Sequence, residues 1–104
     1  MSLDPNALLG QARKMKDQME RVERDLRERM VEGRAGGGAV TVVANGAKEV
    51  EAVRIKPDAV DPEDLSLLED LVLVAIREAL TKAGELHAAE MSKVTGGMNL
   101  PGLF

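Results

Sequence analysis

Apolar residues along the first third of the chain recur at a helical interval. Leu8, Ala12, Met15, Met19, Val22 and Leu26 follow one another at spacings of 4, 3, 4, 3 and 4 residues. This two-in-seven pattern predicts a long helix with one narrow apolar seam. Asp4-Pro5 supplies a cap and a proline at the first helical position, where the missing N–H costs nothing. The seam breaks at Arg29, and the helix is expected to run over 1–33. Such a rod is too long to be covered by the rest of the chain, which predicts contact with a second chain. Gly36-Gly37-Gly38 then forces a reversal. Ala39–Ala44 is β-branched and strand-like, and Asn45-Gly46 predicts a two-residue hairpin with a type I′ turn. In the return strand the step from Val50 to Val53 is three, not two, which places a β-bulge near Glu51 and Ala52. A further short strand at 31–35 would complete a three-stranded meander over 31–57.

The last third again reads as helix, over 61–93. Asp61-Pro62-Glu63-Asp64 is a second cap, with acids expected in the first turn. Leu65, Leu68, Val72, Ile76, Ala79 and Ala83 form one face, and Leu67, Leu71, Val74 and Ala75 extend it around the cylinder. A helix this apolar is expected to be buried against its own sheet and a partner subunit, with Leu68, Leu71, Val72, Ala75 and Ile76 as the dimer core. Residues 94–104 form a Gly- and Pro-rich tail that is not helical throughout. The fold class is therefore α+β, in the order α-β-β-β-α, as one domain over 1–104.

Composition sharpens this picture mainly by exclusion. The chain of 104 residues has no Cys, Trp or Tyr and a single Phe, Phe104. Base stacking and thiol chemistry are therefore absent, and the core must be aliphatic. The formal net charge is −4, the wrong sign for a general basic coat on nucleic acid. The first 34 residues nevertheless hold eight basic against seven acidic side chains. Before Glu20, Arg13, Lys14 and Lys16 face only Asp17. Further along, Arg13–Asp17, Lys16–Glu20, Glu20–Arg24, Glu23–Arg27 and Arg24–Glu28 have i,i+4 spacing, each such pair contributing about 0.2–0.5 kcal/mol to an exposed helix.

Candidate chemistry is sparse. Gly33 and Gly38 have the spacing of a phosphate loop, but Ala39 and Val40 stand where Lys and Ser or Thr are needed, so the pair reads as a flexible turn. His87 is the only histidine; Ser92 is badly placed for it to activate, and Glu90 is its only neighbouring candidate for a shared metal. It reads as a solvated side chain. Glu78, Lys82 and Glu85 form an ion-pair stripe. The chain is not expected to be an enzyme, and no cofactor, metal or small-molecule substrate is implied. No leader is visible, and the longest apolar run, Leu71 to Ile76, is six residues, far short of a membrane span. A cytoplasmic protein is expected.

The order of these features carries a resemblance. A long amphipathic helix, Gly-Gly-Gly, a Val-rich strand, Asn-Gly and Ile55-Lys56-Pro57 come first. Leu68-Glu69-Asp70-Leu71-Val72 and the tail Thr95-Gly96-Gly97-Met98-Asn99-Leu100-Pro101-Gly102 follow. Together they resemble the YbaB/EbfC family of small bacterial nucleoid-associated proteins over essentially the whole chain. The resemblance implies a tweezer-like homodimer that binds double-stranded DNA with little sequence preference, located at the nucleoid and influencing gene expression. It assigns phosphate contacts to Arg13, Lys14, Lys16, Arg21 and Arg24, with Lys93 near the end of the other helix. Because acids interleave with these bases, binding should be weak and salt-sensitive. The alternative is an acidic dimeric scaffold that binds other proteins through its helical seams, with Met15, Met19 and Met30 as an adaptable surface.

Overall fold

The computed structural model describes residues 4–96. Helix α1 spans Pro5–Arg27, strands β1, β2 and β3 span Met30–Ala35, Val40–Asn45 and Val50–Ile55, and helix α2 spans Leu65–Gly96. The strands form an antiparallel sheet in the order β1-β2-β3. The α-β-β-β-α order is thus as expected. The first helix is shorter than the expected 1–33, because the chain changes period after Arg27. Val31, Gly33 and Ala35 alternate toward α2 while Glu32 and Arg34 point away, and that two-residue repeat is a strand's. Asp4 caps α1 as expected, its carboxylate accepting from the Asn6 N–H at 3.0 Å.

Helix α2 crosses one face of the sheet over β1 and β2. Its Ala75, Ala79 and Ala83 are fully buried against Ala35, Val40, Val42 and Ala44. Small residues are needed here because the main chains nearly touch. A Cβ on Gly33 would lie 2.2 Å from the Ala75 carbonyl oxygen and 2.3 Å from the Ala79 nitrogen. Gly33 therefore belongs to the core of the sheet, not to the turn suggested by its spacing from Gly38. The reversal itself is made by Gly36, Gly37 and Gly38, all at positive φ.

The hairpin between β2 and β3 is longer than the two-residue turn expected. Asn45, 1% exposed, organises it: its side-chain oxygen accepts from the N–H groups of Ala47 and Glu49, and its amide nitrogen donates to the carboxylates of Glu49 and Glu51. The left-handed residue is Lys48. Gly46 is required for a different reason. Its N–H donates to the Leu26 carbonyl at 2.8 Å, and a Cβ there would lie 2.9 Å from that oxygen. The hairpin is thus pressed onto the last turn of α1, where Leu26 is completely buried.

The expected bulge is present: Val43 pairs with Ala52 and Ala44 with Val50, leaving Glu51 as the extra residue. The shift keeps Val50, Val53 and Ile55 on the helix-bearing face beside Ala44, Val42 and Val40. The second cap differs in detail from expectation. Asp64, not Asp61, precedes the helix and accepts from the Leu67 N–H, whereas Asp61 closes a turn by accepting from the Glu63 N–H. No acid therefore lies in the first turn of α2.

Candidate nucleic-acid interface

Helix α1 is an arm. It extends for about 35 Å at 1.5 Å per residue, and its only buried residue is Leu26, at the base. The described chain measures 72 × 26 × 16 Å with a radius of gyration of 20.0 Å, against about 13 Å for a compact chain of this length. The arm carries six basic residues, Arg13, Lys14, Lys16, Arg21, Arg24 and Arg27, against Asp17, Glu20, Glu23 and Asp25. At 100° per residue the six span roughly 160° of the arc facing away from the seam. Arg13, Lys16, Arg24 and Arg27 share one flank, with Lys14 and Arg21 beside it. Arg27 was not among the residues expected to meet phosphate, although its spacing from Arg24, Lys16 and Arg13 already places it on their flank.

The arm's bases are less tied up than their spacing suggested. Of the five i,i+4 pairs, the described residues form one, Lys16–Glu20, at 4.0 Å between two exposed groups. Glu23 turns instead to α2, where it lies 2.7 Å from the ring of His87. That ring is half-buried, not a freely solvated side chain as expected, and joins the arm to the end of α2. Nearby, Arg29 reaches Glu90 at 2.9 Å and Lys93 reaches the same carboxylate at 3.0 Å. Lys93 first, then Arg29, holds the Glu90 carboxyl below the usual carboxylate range. Lys93 is thus engaged with Glu90, whereas along the arm only Lys16 is paired among the described residues. On α2, Lys82 bonds Glu78 and lowers its pKa in the same sense, and also donates to the Glu32 carbonyl of β1.

The second charged surface is the sheet face opposite α2. Glu32 there holds Arg34 at 2.9 Å and Arg54 at 3.9 Å, a locally paired set. Of the residues expected to form a dimer core, Ala75 is buried in the chain's own core, and Leu68, Leu71, Val72 and Ile76 are partly buried against it. Leu65, Leu67, Leu73 and Val74 are the large apolar residues of α2 that remain exposed, together with Val50, Val53 and Ile55 on β3. Periodicity could not separate these sets, because α2 is apolar around most of its circumference. No helix among the described residues is long and apolar enough to cross a membrane.

Comparison with known proteins agrees with this architecture. A profile described as the YbaB/EbfC DNA-binding family matches residues 1–98. A nucleoid-associated protein of Acetivibrio thermocellus is 55% identical over 100 residues, covering 95% of this chain and 88% of that protein. One from Clostridium novyi is 52% identical over 99 residues, covering 95% and 87%. The crystal structure of an uncharacterized protein from Helicobacter pylori superposes with a TM-score of 0.70. It covers 93% of this chain and 98% of its own, at 21% identity, and so speaks for the fold alone.

Proposed function

The chain belongs to the YbaB/EbfC DNA-binding family, and from that premise we propose that it binds duplex DNA as a homodimer through its α1 arms, at the nucleoid. The observation that carries the mechanism is the arm's exposed row of Arg13, Lys14, Lys16, Arg21, Arg24 and Arg27, only one of which is in an ion pair among the described residues. Phosphates are the targets this chemistry fits, because the described residues include no aromatic side chain to stack on a base. Lys93 contributes field more than contact, its ammonium being held by Glu90. Sequence-tolerant binding of this kind organises DNA and alters expression of genes within it.

Incomplete cover of the sheet supports the proposed dimer. A helix about 10 Å across covers two strands spaced about 4.8 Å apart, and α2 lies over β1 and β2. Val50, Val53 and Ile55 of β3 are left at 41–45% exposure on the same face. A partner's α2, bringing Leu65, Leu67, Leu73 or Val74, would cover them, and the two-fold axis would return the favour. Two arms would then project from one shared base. The alternative, a scaffold for other proteins, rests on the partly exposed seam of the arm, where Met19 is 39% exposed.

The test is a fluorescence-anisotropy titration with random duplex at low salt, together with sedimentation. A dimer should bind, with an affinity that falls steeply as salt rises. The triple variant Arg13→Glu, Lys14→Glu, Lys16→Glu should lose most of that affinity while keeping its unfolding free energy within about 0.5 kcal/mol, since these side chains are exposed. Absence of binding, or binding indifferent to the triple change, would sink the mechanism.

A further inference from the structure

Helix α1 is held to the rest of the chain at two levels. At its foot Leu26 is completely buried, and its carbonyl accepts from the Gly46 N–H at 2.8 Å. One turn farther out, Glu23 lies 2.7 Å from Nε2 of His87 on α2, 64 residues on in the chain. Among the described residues this is the only hydrogen bond or ion pair between the arm and α2. Toward the tip, every residue from Pro5 to Arg21 except Met15 is exposed. These lengths make a lever. At 1.5 Å per residue Glu23 stands about 4.5 Å out from Leu26, and Arg13 about 20 Å. Play of about 1 Å at Glu23 therefore becomes about 4 Å at Arg13.

We infer that His87 and Glu23 are positioning residues that set the direction of the arm, and that their hold tightens as His87 takes up a proton. An ionised carboxylate only accepts, so the ring donates from Nε2. It does so as the neutral tautomer or as the imidazolium, and the imidazolium turns an ordinary hydrogen bond into a stronger, charge-assisted one. Imidazoles change charge between about pH 5 and 8. The other charged groups near the ring are Glu20, Arg24 and Arg27 of α1, which line one groove with Glu23, and Glu90 one turn along α2. Glu90 is taken by Arg29 and Lys93, which leaves Glu23 as the counter-ion of His87. The two side chains are 23% and 36% exposed, so solvent screens them less than an open surface pair. The arm is held most firmly on the acid side of the imidazole range, while Glu23 stays ionised, and swings more freely on the basic side. Where the arms meet DNA as proposed above, the same pair aims their bases; the direction of the arm itself needs no DNA.

The chain has no Cys, so two spin labels can be placed without competing thiols. Gly10→Cys puts one on the arm, where nothing lies within 4 Å of a Cβ. Ala89→Cys puts the other at an exposed position of α2, about 200° around that helix from His87. Diluting the labelled chain into excess unlabelled chain restricts pulsed-EPR distances to one protomer. The distance distribution should be narrow at about pH 5.5 and broaden by a few ångström at about pH 8. Glu23→Gln and His87→Gln each keep a hydrogen-bonding side chain but remove the ionisable pair, and each should abolish the response to pH. A distribution in the parent that does not change with pH overturns the inference. So does a response that persists undiminished in either variant. The distances are read without DNA, so failure of DNA binding leaves them untouched, and failure of the distances leaves the proposed phosphate contact standing.

Discussion

The glycines Gly33 and Gly10 mark two regions built on opposite terms. At Gly33 the main chains of β1 and α2 are in contact, and an added methyl would have to displace backbone atoms of Ala75 and Ala79. At Gly10, on the arm, nothing lies within 4 Å of where a Cβ would stand. The base is specified by shape: Gly33, Ala75, Ala79 and Ala83 let helix and sheet approach until no side chain intervenes. The arm is specified only by helix-forming residues, caps and a seam. A protein can vary the charge of such an arm without rebuilding its core, which suits the proposed contact with duplex phosphates.

The contrast is tested most sharply by giving both regions the same substitution. Gly33→Ala should destabilise by about 3 kcal/mol or prevent folding, because overpacking here is against backbone; a urea-denaturation midpoint reads it. A midpoint near that of the parent would show that β1 and α2 can separate easily, and the contrast would fail. Gly46→Ala should cost about 2 kcal/mol by the same measurement. There the clash falls partly on the flexible end of the Leu26 side chain and partly on its carbonyl oxygen. Smallest, and of opposite sign, Gly10→Ala should strengthen the arm by about 0.5–1 kcal/mol, through the better helix propensity of alanine. It should be seen as slower amide hydrogen exchange over the first turns of α1, with little change in the global midpoint. Faster exchange there would mean that the arm is packed against something at Gly10.

The arm and the base also differed in how far they could be read in advance. On α1 the seam from Leu8 to Leu26 and the Asp4-Pro5 cap were legible because they are local: a helix interval and an orphan N–H need no distant partner. The bulge at Glu51 was equally legible, since a three-residue step between Val50 and Val53 leaves a strand no other way to keep both on one face. In the sequence Gly46 reads as a left-handed turn residue, but Lys48 takes that conformation and Gly46 lets Leu26 come close. Gly33 was harder still, because nothing next to it in the chain signals that α2, more than forty residues away, will lie against it. The ion pairs of the arm were overcounted because spacing permits a contact without producing it. Glu23 found a better partner in His87 than in Arg27.

Sequence alone therefore determined what arises from neighbours along the chain: the order of helices and strands, the cap of the first helix, the bulge, the aliphatic composition of the core and the local excess of bases near the tip of the arm. Tertiary structure decided which part of an almost uniformly apolar α2 is buried, leaving Leu65, Leu67, Leu73 and Val74 outward, and which acids leave the arm's bases for groups on α2. The physical reason is the same in both cases. Periodicity reports the direction of a side chain about its own axis, whereas burial and pairing depend on where a second element lies relative to that axis.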